Sequence, residues 1–578
     1  MSNDQSQNKT EELSHVDTFN QGMDRRSFIK KTTGVAGVAL GLTLASSLPG
    51  IPVNAASITS SPSFLNPKGK KPNLIFPVIS DVHINADSNN TLEKFTTTLE
   101  QLNRAVPKQH AFVVVGDLTD NGVTAEYDKF MSAYNTKKQS KAVSMFAIGN
   151  HDYWNGLSVT DAQKRFFEKT GMKSIYYHKV IKGYHFIVLG TEDGRTEGTF
   201  SQKQIDWLGE QLRQANADDP KKPIFVFHHQ PIKDTIYGSE WGFSENRDLF
   251  YNTLKEYPQA ITFSGHTHYP LDDPRIIHQK DFTTIGTSTG AYLWLDSGRI
   301  QGEVPEGADI LNQALVVEVY DNKVLLHRRD IHKNAWTGEP FEISYPADKR
   351  KFKYTEDRDK NAPFFKPNSM LAIDHEKTTA ASLAIMFTQA KDNLLLHDYK
   401  VVVKKAETKE IAKQFLAFSE FYKDPVPNPL TLPIDGLLPN TLYEIEVHAL
   451  DAYGNVSRNS LKVLGKTLDG VVKDITITLS KNELSGVDDT VEVSVENARI
   501  PNGDWIGIYE VNEKPGDIAS IWWMYTKITD GTCKFTYDPK NNANPGRYKE
   551  GATYKFVYFY GSGYESAAST TFTVGSKE

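Results

Sequence analysis

The stretch LIFPVISDVH, residues 74–83, is an apolar run that ends in an Asp-x-His sequence. A short apolar run of this kind is typical of a strand buried on both faces, which delivers a polar residue at its carboxyl end. Five later runs share this form: AFVVVGD (111–117), VSMFAIGN (143–150), YHFIVLG (184–190), IFVFHH (224–229) and AITFSGH (260–266). Together the six runs predict buried strands that place Asp, Asn, Gly or His at one end.

Helical patterns lie between these runs. TLEKFTTTLEQLNRAV (91–106) carries apolar residues at three- and four-residue steps, and SQKQIDWLGEQLRQA (201–215) opens with Ser and Gln spaced as in a capping box. Strands that alternate with helices from about Pro72 to Tyr345 predict an α/β layered domain.

The pattern changes after Tyr345. A charge-dense stretch with several prolines predicts a linker at 346–365. LLPNTLYEIEVHALDAYGNVS (437–457) alternates apolar and polar residues and resembles the late strands of a fibronectin type III sandwich, with Tyr443 at the position of its corner tyrosine. The same alternation after residue 469 predicts a second sandwich. The predicted domains are therefore an α/β domain at 57–345, a fibronectin type III-like domain at 366–468 and a β-sandwich at 469–578.

The first 56 residues have the pattern of an export signal. MDRRSFIKK (23–31) precedes an apolar, uncharged run and the small residues VNAA, which are typical of a twin-arginine signal peptide and its cleavage site. A membrane anchor is the alternative, but the apolar run is Gly-rich and only about 20 residues long, the lower limit for spanning a bilayer. We therefore expect an extracellular, cell-wall or periplasmic protein.

Composition narrows the function classes. The net charge is −7 over 578 residues, and the sequence has no long basic stripe with interleaved aromatic residues, so no nucleic-acid partner is expected. The single cysteine, Cys533, excludes an internal disulfide and a cysteine-rich zinc cluster.

The polar ends of the runs form an ordered series: DVH at 81–83, GD at 116–117, GNHD at 149–152, HH at 228–229 and GHTH at 265–268. Ligand sites of α/β sheets lie at the carboxyl ends of their strands. The series resembles the signature of the calcineurin-like metallophosphoesterases, D-x-H, G-D, G-N-H-D/E, H and G-H-x-H, over about Asn73 to His268. The resemblance implies a four-layer αββα sandwich, here followed by two all-β sandwich domains.

The resemblance also implies a dinuclear centre of two divalent ions, Mn, Fe or Zn, with Asp117 as the bridge. Its implied ligands are Asp81, His83 and His268 for one ion, and Asn150, His228 and His266 for the other. At HHQP the Gln230 that precedes Pro231 departs from the family pattern, so His229 remains an alternative to His228. His151 is implied as the general acid, and Asp152 as the residue that orients its ring.

The order of GNHD, HH and GHTH resembles the bacterial cyclic-nucleotide and glycerophosphodiester phosphodiesterase branch of the family, which implies hydrolysis of a small phosphodiester by a metal-bridging hydroxide. A broad phosphomonoesterase, or a surface binding protein with a vestigial site, remain alternatives. Loop aromatics at 153, 154, 237 and 241 would stack a nucleobase or aryl group, or simply pack. The β-domains are expected to act as targeting or packing modules, including contact with the cell envelope. The sequence leaves the natural substrate and the oligomeric state open.

Overall fold

A computed structural model describes residues 71–296, 304–305, 307–470, 474–498, 504–516, 518–526, 531–542, 544–560, 564 and 566–575. The predicted signal peptide lies outside these residues. The described chain divides after Asp469 into two compact units, and each is considered by itself. Among the helices of these residues, none is long and apolar enough to cross a membrane.

The α/β domain consists of two sheets flanked by helices. The helices are α1 (Asn90–Ala105), α2 (Thr124–Lys137), α3 (Val159–Thr170), α4 (Gln202–Asp218) and α5 (Arg247–Lys255). The strands are β1 (Leu74–Ile79), β2 (Ala111–Val115), β3 (Val143–Ala147), β4 (Tyr177–Ile181), β5 (Tyr184–Val188), β6 (Ile224–His228), β7 (Ala260–Ser264), β8 (Ile277–Gln279), β9 (Thr283–Gly286), β10 (Gln313–Val319), β11 (Lys323–Asp330), β12 (Ala335–Trp336) and β13 (Phe341–Ser344).

The first sheet has the order β12-β11-β10-β1-β2-β3, with β13 also paired to β11. The second has the order β4-β5-β6-β7-β9-β8. Strands β1, β2 and β3 run parallel, as do β5, β6, β7 and β9. The six apolar runs of the sequence are β1, β2, β3, β5, β6 and β7, so their polar ends collect at one edge of each sheet.

The main core lies between the two sheets. The ring of Phe76 in β1 lies 4.9 Å from that of Phe186 and 5.2 Å from that of Phe225, both in the second sheet. The outer faces are covered by apolar helix residues: α1, α2 and α3 pack on the first sheet, and α4 and α5 pack on the second. The predicted αββα sandwich is confirmed.

Residues 366–468, which we call the middle β-domain, form two sheets in the orders β14-β15-β18 and β17-β16-β19-β20. Its strands are β14 (Leu371–Ile373), β15 (Ser382–Phe387), β16 (Leu396–Lys405), β17 (Ile411–Phe418), β18 (Leu430–Asp435), β19 (Leu442–Asp451) and β20 (Leu461–Lys466). The Tyr443 hydroxyl accepts a hydrogen bond from Leu438 N at 2.9 Å, the contact of a tyrosine corner. The fibronectin type III assignment stays a prediction.

The stretch predicted as a linker packs against the α/β domain. The Gln279 side-chain oxygen accepts hydrogen bonds from Lys353 N at 3.0 Å and Tyr354 N at 3.2 Å. The Arg358 guanidinium lies 4.9 Å from the centre of the Tyr354 ring. The first two contacts fix the stretch to the α/β domain, which lies with the middle β-domain in one compact unit.

The described part of 474–575 is mostly strand, in the sheet orders β21-β23-β26 and β22-β28-β27-β24-β25. The strands are β21 (Thr476–Leu479), β22 (Glu483–Leu484), β23 (Val491–Glu496), β24 (Trp505–Glu510), β25 (Trp522–Tyr525), β26 (Cys533–Tyr537), β27 (Thr553–Phe559) and β28 (Ser566–Val574). Trp505 and Trp522 are buried, as expected of core residues.

Candidate metal centre

The polar residues that follow β1, β2, β3, β6 and β7 converge on one buried site. Because parallel strands end at the same edge of a sheet, the loops that follow them meet there. No residue of this group is more than 4 % exposed; the group comprises Asp81, His83, Asp117, Asn150, His151, His229, His266 and His268.

The backbone at this site is unusual. Asp81, His83, Asp117, His266 and His268 all have positive φ angles, between 48° and 74°. A non-glycine residue in this left-handed region costs on the order of 1–3 kcal/mol, and it persists where the surrounding structure holds it. Along a regular strand, successive side chains point to opposite faces. The sharp turn after each strand breaks this alternation and lets nearby polar side chains point to the same site.

One group forms around Asp81. Its Oδ1 lies 3.2 Å from His268 Nε2, which in turn lies 3.1 Å from His83 Nε2. The backbone N–H of His266 donates to both Asp81 carboxylate oxygens at 2.9 Å. Asp81, His83 and His268 therefore come together as predicted, with one ligand atom of each within 4.8 Å of the others.

A second group forms around Asp117. Its Oδ2 lies 3.0 Å from His229 Nε2 and 3.8 Å from His83 Nε2, and its Oδ1 accepts a hydrogen bond from His151 N at 2.9 Å. Asp117, His229 and His266 can together hold an ion. Since Asp117 faces both groups, its position suits the bridging role that the sequence implied.

The structure brings His229, rather than the predicted His228, to this site. Adjacent strand residues point to opposite faces of a sheet, and His228 faces α5. Its ring lies 5.3 Å from that of Phe250, and its Nδ1 donates to Gln230 O at 2.7 Å. Burial lowers the pKa of His228 to about 4, which keeps it a neutral core residue. We therefore correct the assignment from His228 to His229.

The donor set fits a pair of divalent cations. His229 Nδ1 lies 2.8 Å from Val115 O, and His268 Nδ1 lies 2.9 Å from Tyr292 O. A carbonyl oxygen can only accept, so each Nδ1 carries a hydrogen and Nε2 is the ring atom that faces the centre, where each ring would coordinate a cation as a neutral imidazole. Imidazole nitrogens combined with carboxylate oxygens suit Mn, Fe and Zn.

The family comparison agrees with this geometry. Residues 76–270 match the model of the calcineurin-like phosphoesterases. These residues form a calcineurin-like phosphoesterase domain. The prediction of a metal-dependent phosphoesterase is confirmed at the level of this family, and the β-domains lie outside the match.

Relatives of the phosphoesterase domain include two bacterial proteins. A probable glycerophosphodiester phosphodiesterase from Arcobacter nitrofigilis is 26% identical over 206 residues, 34% of this chain and 72% of that protein. A cAMP/cGMP dual specificity phosphodiesterase from Mycobacterium tuberculosis is 26% identical over 210 residues, 34% of this chain and 63% of that protein. Among solved structures, a purple acid phosphatase from yellow lupin seeds gives a TM-score of 0.36 at 15% identity, over 47% of this chain and 53% of that one.

Carboxylates dominate the electrostatics of the site. Burial disfavours the ionised form of Asp117, yet His229 and His151 hold its pKa well below the usual range. Burial likewise opposes a charge on His229, but the carboxylates of Asp117 and Asp81 outweigh it and raise the pKa of His229 to about 9. The clustered carboxylates thus favour positive charge, which a bound cation would supply.

Glycines in the motifs make room for the ligands. A Cβ on Gly149 would lie 2.2 Å from Asp117 Oδ1, and one on Gly265 would lie 2.5 Å from Asp81 Oδ2. A Cβ on Gly116 would lie 2.3 Å from His229 Nδ1. These contacts are too close for any side chain, so the glycines are required by packing against the ligands.

Gly149→Ala is therefore expected to displace Asp117 and to lower both bound metal and turnover. A misplacement of about 1 Å can reduce turnover by roughly 100-fold, and we expect a loss at least this large. Metal analysis of the purified protein and its rate on an aryl phosphodiester measure both effects. Gly209→Ala, in α4 with 3.4 Å to the nearest atom, is the matched control and should change neither. Normal metal content in Gly149→Ala would contradict the packing argument.

The residue that orients His151 is Asp120 rather than the predicted Asp152. His151 Nδ1 lies 2.8 Å from Asp120 O, and Asp120 Oδ1 lies 3.5 Å from His83 Nδ1. Asp152 instead accepts hydrogen bonds from Gly149 N at 3.0 Å and from the Thr119 hydroxyl at 2.7 Å. It thereby holds together the two turns that carry Asn150 and Asp117. Sequence reasoning missed Asp120, whose only signal was an acidic residue in the GDLTDNG loop.

Aromatic rings border the site. Trp154 lies 3.7 Å from the His151 ring, and Tyr292 lies 4.6 Å from the His268 ring. Tyr292 had no sequence signal. The other loop aromatics are held by the protein itself. The Tyr153 hydroxyl donates to Thr191 O at 2.8 Å, Tyr237 packs on Tyr269, and Trp241 packs on Trp294.

Proposed function

We propose that this chain is an exported, dimetal phosphoesterase that hydrolyses phosphodiester bonds. The observation that carries the proposal is the buried Asp117 carboxylate, which faces imidazoles from two separate ligand groups. Two relatives of the domain are named as phosphodiesterases, which favours diesters over monoesters. Export by the twin-arginine route is inferred from MDRRSFIKK at 23–31.

Two bound divalent cations would supply a water nucleophile at neutral pH and positive charge for the phosphoryl oxygens. Asp81, His83 and His268 would hold one ion, and Asn150, His229 and His266 the other, with Asp117 shared. Asn150 is positioned for this role by the Gln230 side chain, which donates to Asn150 Oδ1 at 3.1 Å.

His151 would serve the leaving group. Asp120 O fixes its Nδ1, so Nε2, 4.0 Å from Asp117 Oδ2, is the atom turned toward the reacting groups. Burial lowers the pKa of His151 to about 4, which keeps the ring neutral at pH 7. A bound phosphodiester brings negative charge, which favours the imidazolium form that can give a proton to the leaving oxygen.

The direct test compares bis(4-nitrophenyl) phosphate with 4-nitrophenyl phosphate on metal-free protein reloaded with Mn²⁺. We expect kcat/KM to be at least about 10-fold higher for the diester, a preference of roughly 1.4 kcal/mol in transition-state free energy. Chelator-treated protein should be inactive on both esters and serves as the control. A faster monoester reaction would indicate a phosphomonoesterase, and no reaction on either would indicate a binding protein.

A further inference from the structure

The segment 291–296, AYLWLD, lies between the metal site and the middle β-domain. Its side chains alternate, as in a strand. Tyr292 and Trp294 face the site, with ring centres 4.6 Å and 6.1 Å from the His268 ring. Leu293 and Leu295 point the other way. One short segment therefore contacts a candidate ligand on one side and a different domain on the other.

On the site face, the segment holds His268 by its backbone. Tyr292 O accepts the hydrogen bond from His268 Nδ1 at 2.9 Å, and Trp294 N donates to His268 O at 3.1 Å. The first contact sets the tautomer and the rotation of the ring, and the second fixes the main chain that carries it. The position of Nε2 near Asp81 and His83 thus depends on where the segment lies.

On the opposite face, the segment packs on the middle β-domain. Leu293 and Leu295 are almost completely buried in one apolar cluster with Phe418 and Tyr422. Phe418 is the last residue of β17, and Tyr422 lies in the turn that follows. Side chains of the middle β-domain therefore form part of the surface against which the segment rests.

A polar contact holds the end of the segment. Asp296 N donates to the Tyr237 hydroxyl at 3.0 Å, and that hydroxyl lies 3.2 Å from His397 Nε2 in β16. His397 is only 3 % exposed, and its Nε2 is also 3.6 Å from Asp273 Oδ2. The middle β-domain thus meets the segment at an apolar cluster and is linked to it at a polar point through the Tyr237 hydroxyl.

We propose that the middle β-domain positions the metal site, with Phe418 and His397 holding the 291–296 segment so that it fixes His268. The inference rests on the proposed function, since it takes His268 as a metal ligand. It gives this domain a part in catalysis beyond the targeting or packing expected from the sequence. Partners that orient a metal-bound histidine are commonly worth about 10–100-fold in metal affinity or activity.

The test uses the full chain with Phe418→Ala and His397→Ala. Mn²⁺ binding to metal-free protein is followed by calorimetry, and hydrogen exchange of the 291–296 amides is followed by mass spectrometry. We expect one of the two binding events to weaken about 10-fold in each variant. The segment's hydrogen bonds go to His268, which is a proposed ligand of one ion, whereas His229 and His266 are proposed ligands of the other. The segment should also exchange faster, and kcat on the diester should fall more than KM rises.

Conservative and distant changes serve as controls. Phe418→Leu keeps an apolar group and should restore most of the Mn²⁺ affinity, as should His397→Gln, which keeps a polar group near Tyr237. Ile411→Ala, at an exposed position of the same β17 strand, should match the wild type.

Unchanged Mn²⁺ affinity and exchange in both alanine variants would overturn the inference, as would equal weakening of both binding events. His397→Ala, which removes the ring beside the Tyr237 hydroxyl and keeps Phe418, decides the outcome if Phe418→Ala does not fold. A wild-type chain that binds Mn²⁺ without hydrolysing any diester would refute the proposed function alone, because binding and exchange still report on the segment.

Discussion

Asp117→Ala is expected to remove metal from both positions and to lower diester turnover by about three orders of magnitude or more. Its carboxylate faces His229 at 3.0 Å and His83 at 3.8 Å, so one substitution withdraws a ligand from each group. Two cations stabilise a phosphoryl transition state by several kcal/mol, and each 1.4 kcal/mol is tenfold in rate. Elemental analysis and steady-state kinetics on the same preparation give both quantities.

The control for this change is Asp128→Asn in α2, where an exposed carboxylate pairs with Lys169. An exposed pair of this kind contributes little, so metal content and rate should stay at the wild-type level. Asp117→Ala protein that keeps two ions and its turnover would show that Asp117 is not the shared ligand.

His229→Ala and His228→Ala form a matched pair with opposite expected results. His229→Ala removes the imidazole beside Asp117 and should lower bound metal to about one ion per chain, with turnover reduced by at least about 100-fold. His228→Ala removes a ring packed near Phe200, Phe243 and Phe250, so it should cost on the order of 2 kcal/mol of stability and leave metal binding intact.

Metal analysis, turnover and the urea midpoint of each variant separate the two effects. Loss of metal in His228→Ala together with retention in His229→Ala would restore the assignment made from the sequence. The two residues are adjacent and chemically identical, so the comparison isolates the direction in which each side chain points.

The strands and most of the site could be predicted because their signals are local. Each apolar run ends in its own polar motif, and the αββα layers follow from runs that alternate with helical patterns. The choice between His228 and His229 could not be made in this way. A shift of one residue in where β6 ends reverses the face of each side chain, and HHQP offers two histidines at that boundary.

The supporting contacts could not be predicted because they join distant parts of the chain. Asp120 contacts a ring 31 residues away, and Tyr292 contacts one 24 residues away. Asp152 follows His151 directly, but the tight turn there sends its carboxylate to the Thr119 loop. The apolar cluster that Leu293 and Leu295 share with Phe418 depends on how two domains pack, which no local pattern encodes.

Stepwise titration of metal-free full-length protein with Mn²⁺, with bound metal and diester turnover measured at each step, tests the dinuclear site most directly. We expect two ions per chain, with turnover following occupancy of the second, because the shared Asp117 needs a cation on either side to support the reaction. Full turnover at one ion per chain, or in the presence of chelator, would contradict a dimetal phosphodiesterase.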